Sequence, residues 1–169
     1  GKHHVQPEHK LRLAAHLAAH LWREGSGLLP ASRIEPWFFA WLEGEPDLRL
    51  RYQRLHAEQL EEDLRTATFL VREDGADGSA FRFAHTSLLE YFMAEYLLDA
   101  VRGDTPERWD LPTPSPETLD FLGQLLAEAD ADRDGGHPLQ TLSAWRTSYR
   151  PRVSELLLDY VLRALERGW

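Results

Sequence analysis

The apolar pattern of this chain changes period once, and that change fixes the class of fold open to it. Up to Arg65 and again from Leu88 onward, apolar residues recur at helical spacing, about 100° per residue. Between these stretches, Thr68–Arg72 and Ala80–His85 are short β-branched and aromatic runs flanking Asp74-Gly75-Ala76-Asp77-Gly78-Ser79. Two such runs around a Gly/Asp cluster predict one β-hairpin with a six-residue loop. Strand alternation puts Phe81, Phe83 and His85 on one side, with Arg82 and Ala84 on the other. If the phenylalanines face a core, His85 is aimed inward with them. The expected class is mainly α with a single hairpin.

The helical stretches can be placed from their stops. Glu8–Glu24 carries Leu11, Ala14, Leu17, Ala18, Leu21 and Trp22 on one face, with Pro7 before it and Gly25 and Gly27 after it. An extended piece at Leu28–Leu29 leads to a second helix, Glu35–Glu43, with Pro36 in its first turn and Gly44 at its end. A third is expected over about 47–65, striped by Leu48, Tyr52, Leu55, Leu60 and Leu64, although Glu61, Glu62 and Asp63 oppose the dipole at its C-terminus. Ser87-Leu88-Leu89-Glu90 matches a capping box and opens a helix, apolar on most faces, to Val101. Four prolines and Gly103 then mark an extended connection to Pro116. Ser115 is placed to cap, and Pro116 to open, a helix over 116–131; helices over 139–147 and 151–167 follow, with a turn at Asp134–Pro138, and the last helix puts Val153, Leu156, Leu157, Tyr160 and Val161 inward. The expected organisation is a winged-helix-like unit at 5–102, a Pro-rich linker at 103–114 and a small helical bundle at 115–168.

Composition removes several chemistries. With no cysteine among 169 residues there is no disulfide scaffold, no thiol nucleophile and no thiolate zinc site. No apolar run approaches the roughly 20 residues of a membrane span, and the first apolar stretch is studded with His and Arg, unlike a signal peptide. A net charge of −9 weighs against nucleic acid as main partner. Arg49, Arg51, Arg54 and Arg65 could line a DNA-reading surface, but Glu58, Glu61, Glu62 and Asp63 follow on the same segment. Phosphate-cradling loops of the G-x-x-x-x-G-K-[ST] type and the G-x-S-x-G elbow are absent, so catalysis by this chain alone is not expected. His9, His16 and His20 fall opposite the apolar face of the first helix; His16 and His20, at i and i+4, could clamp a metal, but a solvated face with no second shell is the expectation. His85 has two readings from its position: a strand-end histidine satisfied inside the core, or a ligand contact. A chain that opens on Gly1 and has its one methionine at Met93 is expected to be a piece of a longer protein.

The run Phe81-Arg82-Phe83-Ala84-His85-Thr86-Ser87-Leu88-Leu89-Glu90-Tyr91-Phe92-Met93-Ala94-Glu95-Tyr96-Leu97 resembles the end of the winged-helix domain in NACHT-type STAND NTPases. These are signalling ATPases of the innate-immunity-receptor type and their bacterial relatives. The shared pattern is F-x-F-x-H-x-S-x-x-E-[FY]-F-x-A-x-x-L. Asp63–Arg72 before it, Ser115–Leu122 after it and Leu156–Tyr160 near the end look like the flanking segments of such proteins. The likeness is strong over 63–97 and loose elsewhere.

The resemblance implies a regulatory role. In resting members the motif histidine reaches the β-phosphate of bound ADP, and only His85 matches that position. It further implies a cytoplasmic location and an ATP-hydrolysing parent whose nucleotide-binding domain and C-terminal sensor region are partners, with homo-oligomerisation on activation. ADP or ATP would be bound only in that parent. One hydrogen bond to a charged group contributes about 1.5–3 kcal/mol, whereas millimolar affinity needs about 4.1, so the isolated chain is not expected to hold ADP. Two other readings stand beside this one: a winged-helix DNA-binding regulator and a helical interaction scaffold.

Overall fold

A computed structural model describes residues 4–67, 69–131, 137–148 and 155–168. Among these residues the chain is mainly helical, with one small antiparallel sheet. It divides between Leu88 and Leu89 into two compact units.

In the first unit, α1 (Pro7–Glu24) starts at a proline whose missing N–H costs nothing in a first turn, and closes on Gly25 at φ 76°. Leu13, Leu17, Leu21 and four alanines between them are buried. A two-residue strand, β1 (Leu29–Pro30), and a 3-10 turn lead into α2 (Ile34–Glu43). The single helix expected over 47–65 is two, α3 (Pro46–Tyr52) and α4 (Ala57–Thr66). Geometry explains the break. On one continuous helix Leu60 and Leu64 would lie roughly 120° round from Leu48 and Tyr52, at 100° per residue. Interrupting the helix lets all four be buried. His56 precedes α4 and donates its N–H to Gln59 Oε1 at 2.9 Å.

The acidic end of α4 is also not a solvated one. Asp63 is 1% exposed, and its Oδ2 accepts the amides of His4 at 2.7 Å and Val5 at 2.5 Å, with Lys10 Nζ at 4.0 Å. The carboxylate that opposes the helix dipole thereby fastens the chain ahead of α1 to α4.

The hairpin comprises β2 (Leu70–Gly75) and β3 (Gly78–Phe83), and its turn is the two residues Ala76-Asp77 rather than a six-residue loop. Polar pairs extend the ladder where apolar alternation ends: Ser79 Oγ donates to Asp74 directly opposite, Arg72 donates to Ser79, and Arg82 pairs with Glu73. Gly78, at φ 104°, occupies a position an L side chain would strain. The extended piece near Leu29 is a true strand, pairing Leu29 with Phe81 and Pro30 with Ala80, so the sheet order is β1-β3-β2.

In the second unit, α5 (Thr86–Arg102, counting its start in the first) buries Phe92, Met93, Tyr96 and Leu97, as its apolar faces predict. Residues 103–114, expected as an open connection, contain a 3-10 turn at Pro106–Trp109. Trp109 is fully buried, donates its indole N–H to the Leu97 carbonyl at 3.0 Å, and meets Trp145 edge-to-face at 5.5 Å. Trp145 in turn donates to Asp104 Oδ1 at 2.7 Å. Burying two indoles outweighs the local preference of a Pro-rich stretch for extension.

Ser115 caps α6 (Pro116–Ala131) by accepting the Thr118 amide at 3.1 Å, as expected. This helix packs with α7 (Pro138–Thr147) and α8 (Glu155–Glu166). Leu157, Leu158, Val161 and Leu162 form the inner face of α8, whereas Tyr160, expected inside, is 53% exposed. Most of the expected turn at Asp134–Pro138, and Pro151 and Val153 of the last expected helix, lie outside the described residues. No helix among the described residues is long and apolar enough to cross a membrane.

Replacing Asp63 by Ala orphans two amides and leaves Lys10 without its carboxylate. The expected loss is about 3 kcal/mol of unfolding free energy in urea denaturation; a loss within experimental error would contradict the clamp.

Candidate functional site

The site predicted from sequence centres on His85, and the structure sends its side chain away from the core. Strand alternation holds only to Phe83: Phe81 and Phe83 are 1% and 5% exposed on the inner face. The Ala84 amide then donates to the Phe69 carbonyl at 2.9 Å, and the chain bends at Ala84-His85 before α5 begins at Thr86. His85 is exposed. The inward placement is therefore corrected, and the core-satisfied reading goes with it: the period-2 argument extends only as far as the strand, which ends two residues earlier.

Around His85 the geometry is that of a strand-to-helix corner. The His85 carbonyl accepts the Leu88 amide at 3.0 Å, which makes the first turn of α5 tight. Thr86 and Ser87 lie exposed in that turn, and the Arg82 guanidinium donates to the Phe83 carbonyl at 3.0 Å. An exposed imidazole thus stands at the N-terminal, dipole-positive end of a 17-residue helix.

Ser87 lies within α5 rather than at its cap, so the expected capping box does not form. Glu90, assigned to that box, instead accepts the Ser115 hydroxyl at 2.7 Å. That bond ties α5 to the cap of α6. At the next residue, Tyr91 packs edge-to-face on Phe121 at 5.8 Å. Its hydroxyl donates to Glu95 at 2.7 Å; this bond first, then burial and the Glu95 and Glu128 charges, push its pKa up to about 12. No sequence signal marks the Glu90–Ser115 pair, because 25 residues separate the partners and each has a plausible local role.

The histidines of α1 are a second correction. They do not form a solvated face but pack on aromatic rings. His9 Nδ1 lies 2.6 Å from the Tyr52 hydroxyl, His16 stacks at a tilt on Trp41 at 5.7 Å, and His20 on Trp37 at 6.0 Å. His16 Nε2 also lies 3.5 Å from Glu45, a buried carboxylate that pairs with Arg12. Arg12 reaches Asp47 as well, and that bond, the largest influence, raises the Arg12 pKa and lowers that of Asp47. The signal was present in Trp37, Trp41 and Tyr52, whose rings need apolar cover that α1 can supply only with its histidine face.

Arg49, Arg51, Arg54 and Arg65 are all exposed, and Arg49 is paired with Glu43 at 3.5 Å. Among the described residues, no three His, Asp or Glu side chains are grouped to hold a metal ion. No protein-family description, curated protein or solved structure matches the chain.

Burial lowers the His20 pKa below its ordinary 6.5; Glu24 opposes this, and Arg23 and Arg33 add to it. The fold therefore favours neutral His20, and its contribution to stability is present above pH 6.5 and lost as pH falls through the depressed folded value. In thermal melts from about pH 7 to about pH 5, His20→Gln should lose less Tm than the native chain. Equal losses would contradict the sign.

Proposed function

We propose that this chain is the regulatory segment of a NACHT-type STAND signalling ATPase, in which His85 reports the nucleotide state of a neighbouring nucleotide-binding domain. The observation that carries the reading is the exposure of His85 at the β3–α5 corner. In this motif a histidine presented to solvent beside a helix N-terminus is suited to meet a phosphate oxygen brought by a partner. The element order supports it too: helix, short strand, helices and hairpin, with β1 beside β3, is an order that a winged helix would have.

In this account, ADP on the nucleotide-binding domain accepts a hydrogen bond from the His85 imidazole and holds the resting state. His85 directly precedes α5, so its position is tied to the start of that helix. A charge-assisted hydrogen bond of about 1.5–3 kcal/mol shifts a two-state population roughly ten- to a hundredfold. That is enough to bias a switch and too little to bind nucleotide alone.

The test is acid release of nucleotide from the full-length protein with and without His85→Ala. ADP retained by the native protein and reduced several-fold in the variant is the expected result. Equal ADP in both would remove His85 from the contact, and no nucleotide in either would overturn the STAND reading.

A further inference from the structure

One guanidinium is stretched along the hairpin from Glu73 to the β3–α5 corner. Arg82 stands on the face of β3 opposite Phe81 and Phe83, with Val71 directly across and Glu73 diagonal to it on the turn side. Its Nε donates to Glu73 Oε1. Its Nη1 donates to the Phe83 carbonyl at 3.0 Å and reaches the Ala84 carbonyl at 3.4 Å. Those are the two carbonyls immediately ahead of His85.

The second of these acceptors stands where the ladder runs out. Gly75 and Gly78 pair across a two-residue turn, so antiparallel alternation points the Ala84 N–H and C=O toward Phe69. The Ala84 N–H meets the Phe69 carbonyl, but the Phe69 N–H bonds the Leu64 carbonyl at 3.3 Å. The Ala84 carbonyl thereby lacks its ladder donor, and Arg82 reaches it instead. That carbonyl shares a rigid peptide plane with the His85 N–H, so holding it sets the direction in which the chain enters His85. On the far side, the His85 carbonyl is held by the Leu88 amide. His85 is thus fixed at both of its peptide planes, one of them through a side chain.

We infer that Arg82, steered by Glu73, is a positioning residue for His85: it clasps the Phe83 and Ala84 carbonyls so that the imidazole meets its phosphate from one direction. The consequence for nucleotide rests on the regulatory reading above; the clasp itself does not. A planar guanidinium serves Glu73 and both carbonyls at once, whereas a lysine ammonium is a point charge on a flexible stem. Arg82 and Glu73 are 42% and 49% exposed, so their pairing adds little to stability and can be removed without unfolding the chain. What the clasp contributes is direction.

The test has two arms. In the 169-residue chain, hydrogen exchange of the Ala84 and Leu88 amides, which bracket His85, is followed by NMR. Arg82→Gln should speed both several-fold with little change in Tm, and Glu73→Gln should do so more weakly. Arg82→Lys keeps the charge but not the fork, and should exchange like Arg82→Gln. Unchanged exchange in Arg82→Gln, or native exchange in Arg82→Lys, would overturn the clasp whatever the chain does with nucleotide. In the full-length protein, Arg82→Gln should lower the ADP recovered by acid release several-fold, and should lower it no further in a His85→Ala background. Native ADP in Arg82→Gln, when His85→Ala loses it, would overturn the positioning role and leave the regulatory reading standing. A further loss in the double variant would overturn it too, since Arg82 would then act apart from His85. Equal ADP in the native protein and His85→Ala would remove the regulatory reading, and the exchange rates alone would then decide whether Arg82 holds the corner.

Discussion

One backbone hydrogen bond, from the Ala84 amide to the Phe69 carbonyl, decides what the best-marked segment of this chain can do. It lies just beyond the Leu70–Phe83 pair that closes the hairpin ladder. Before it, alternation seats Phe81 and Phe83 in the core; after it, the chain bends and His85 is turned out. Had the strand run two residues further, His85 would have followed the phenylalanines inward. The corner thus converts a core-facing strand into a presented imidazole, with α5 starting at the next residue.

Elsewhere in the first unit, buried polar groups hold elements that apolar packing alone would leave loosely specified. Asp63 binds the segment ahead of α1, and Glu45 gathers Arg12 and His16 from α1. A carboxylate accepting two amides is satisfied only in one arrangement of the chain, so it selects that arrangement more than it adds net stability. The second unit uses indoles for the same purpose. Trp109 and Trp145 touch, and each donates its N–H to a defined acceptor, which locks residues 104–109 onto α5 and α7.

Much of this architecture was legible. The change of period located the sheet, Pro7 and Gly25 bounded α1, and Ser115 was identifiable as the cap of α6. What failed did so for a common reason: a local rule was applied across a boundary that only tertiary packing sets. The stripe from Leu48 to Leu64 looked continuous because its rotation is visible only when one asks whether both halves can face one core. The Gly/Asp cluster read as a loop because Asp74 and Ser79 pair across strands, which composition does not show. His9, His16 and His20 read as solvated because the wheel of α1 says nothing of Trp37, Trp41 and Tyr52 arriving from α2 and α3. At the candidate site, the residue was marked by its motif, but the direction of its side chain was not.

The central claim is that His85 is offered to a partner and not used by the core. Its most direct measurement is the rate at which diethyl pyrocarbonate modifies each histidine of the folded chain, read residue by residue by mass spectrometry. The account predicts that His85 reacts at a rate close to those of exposed His56 and His137, and well ahead of His16, which is wedged between Trp41 and Glu45. Protection of His85 to the level of His16 would contradict it.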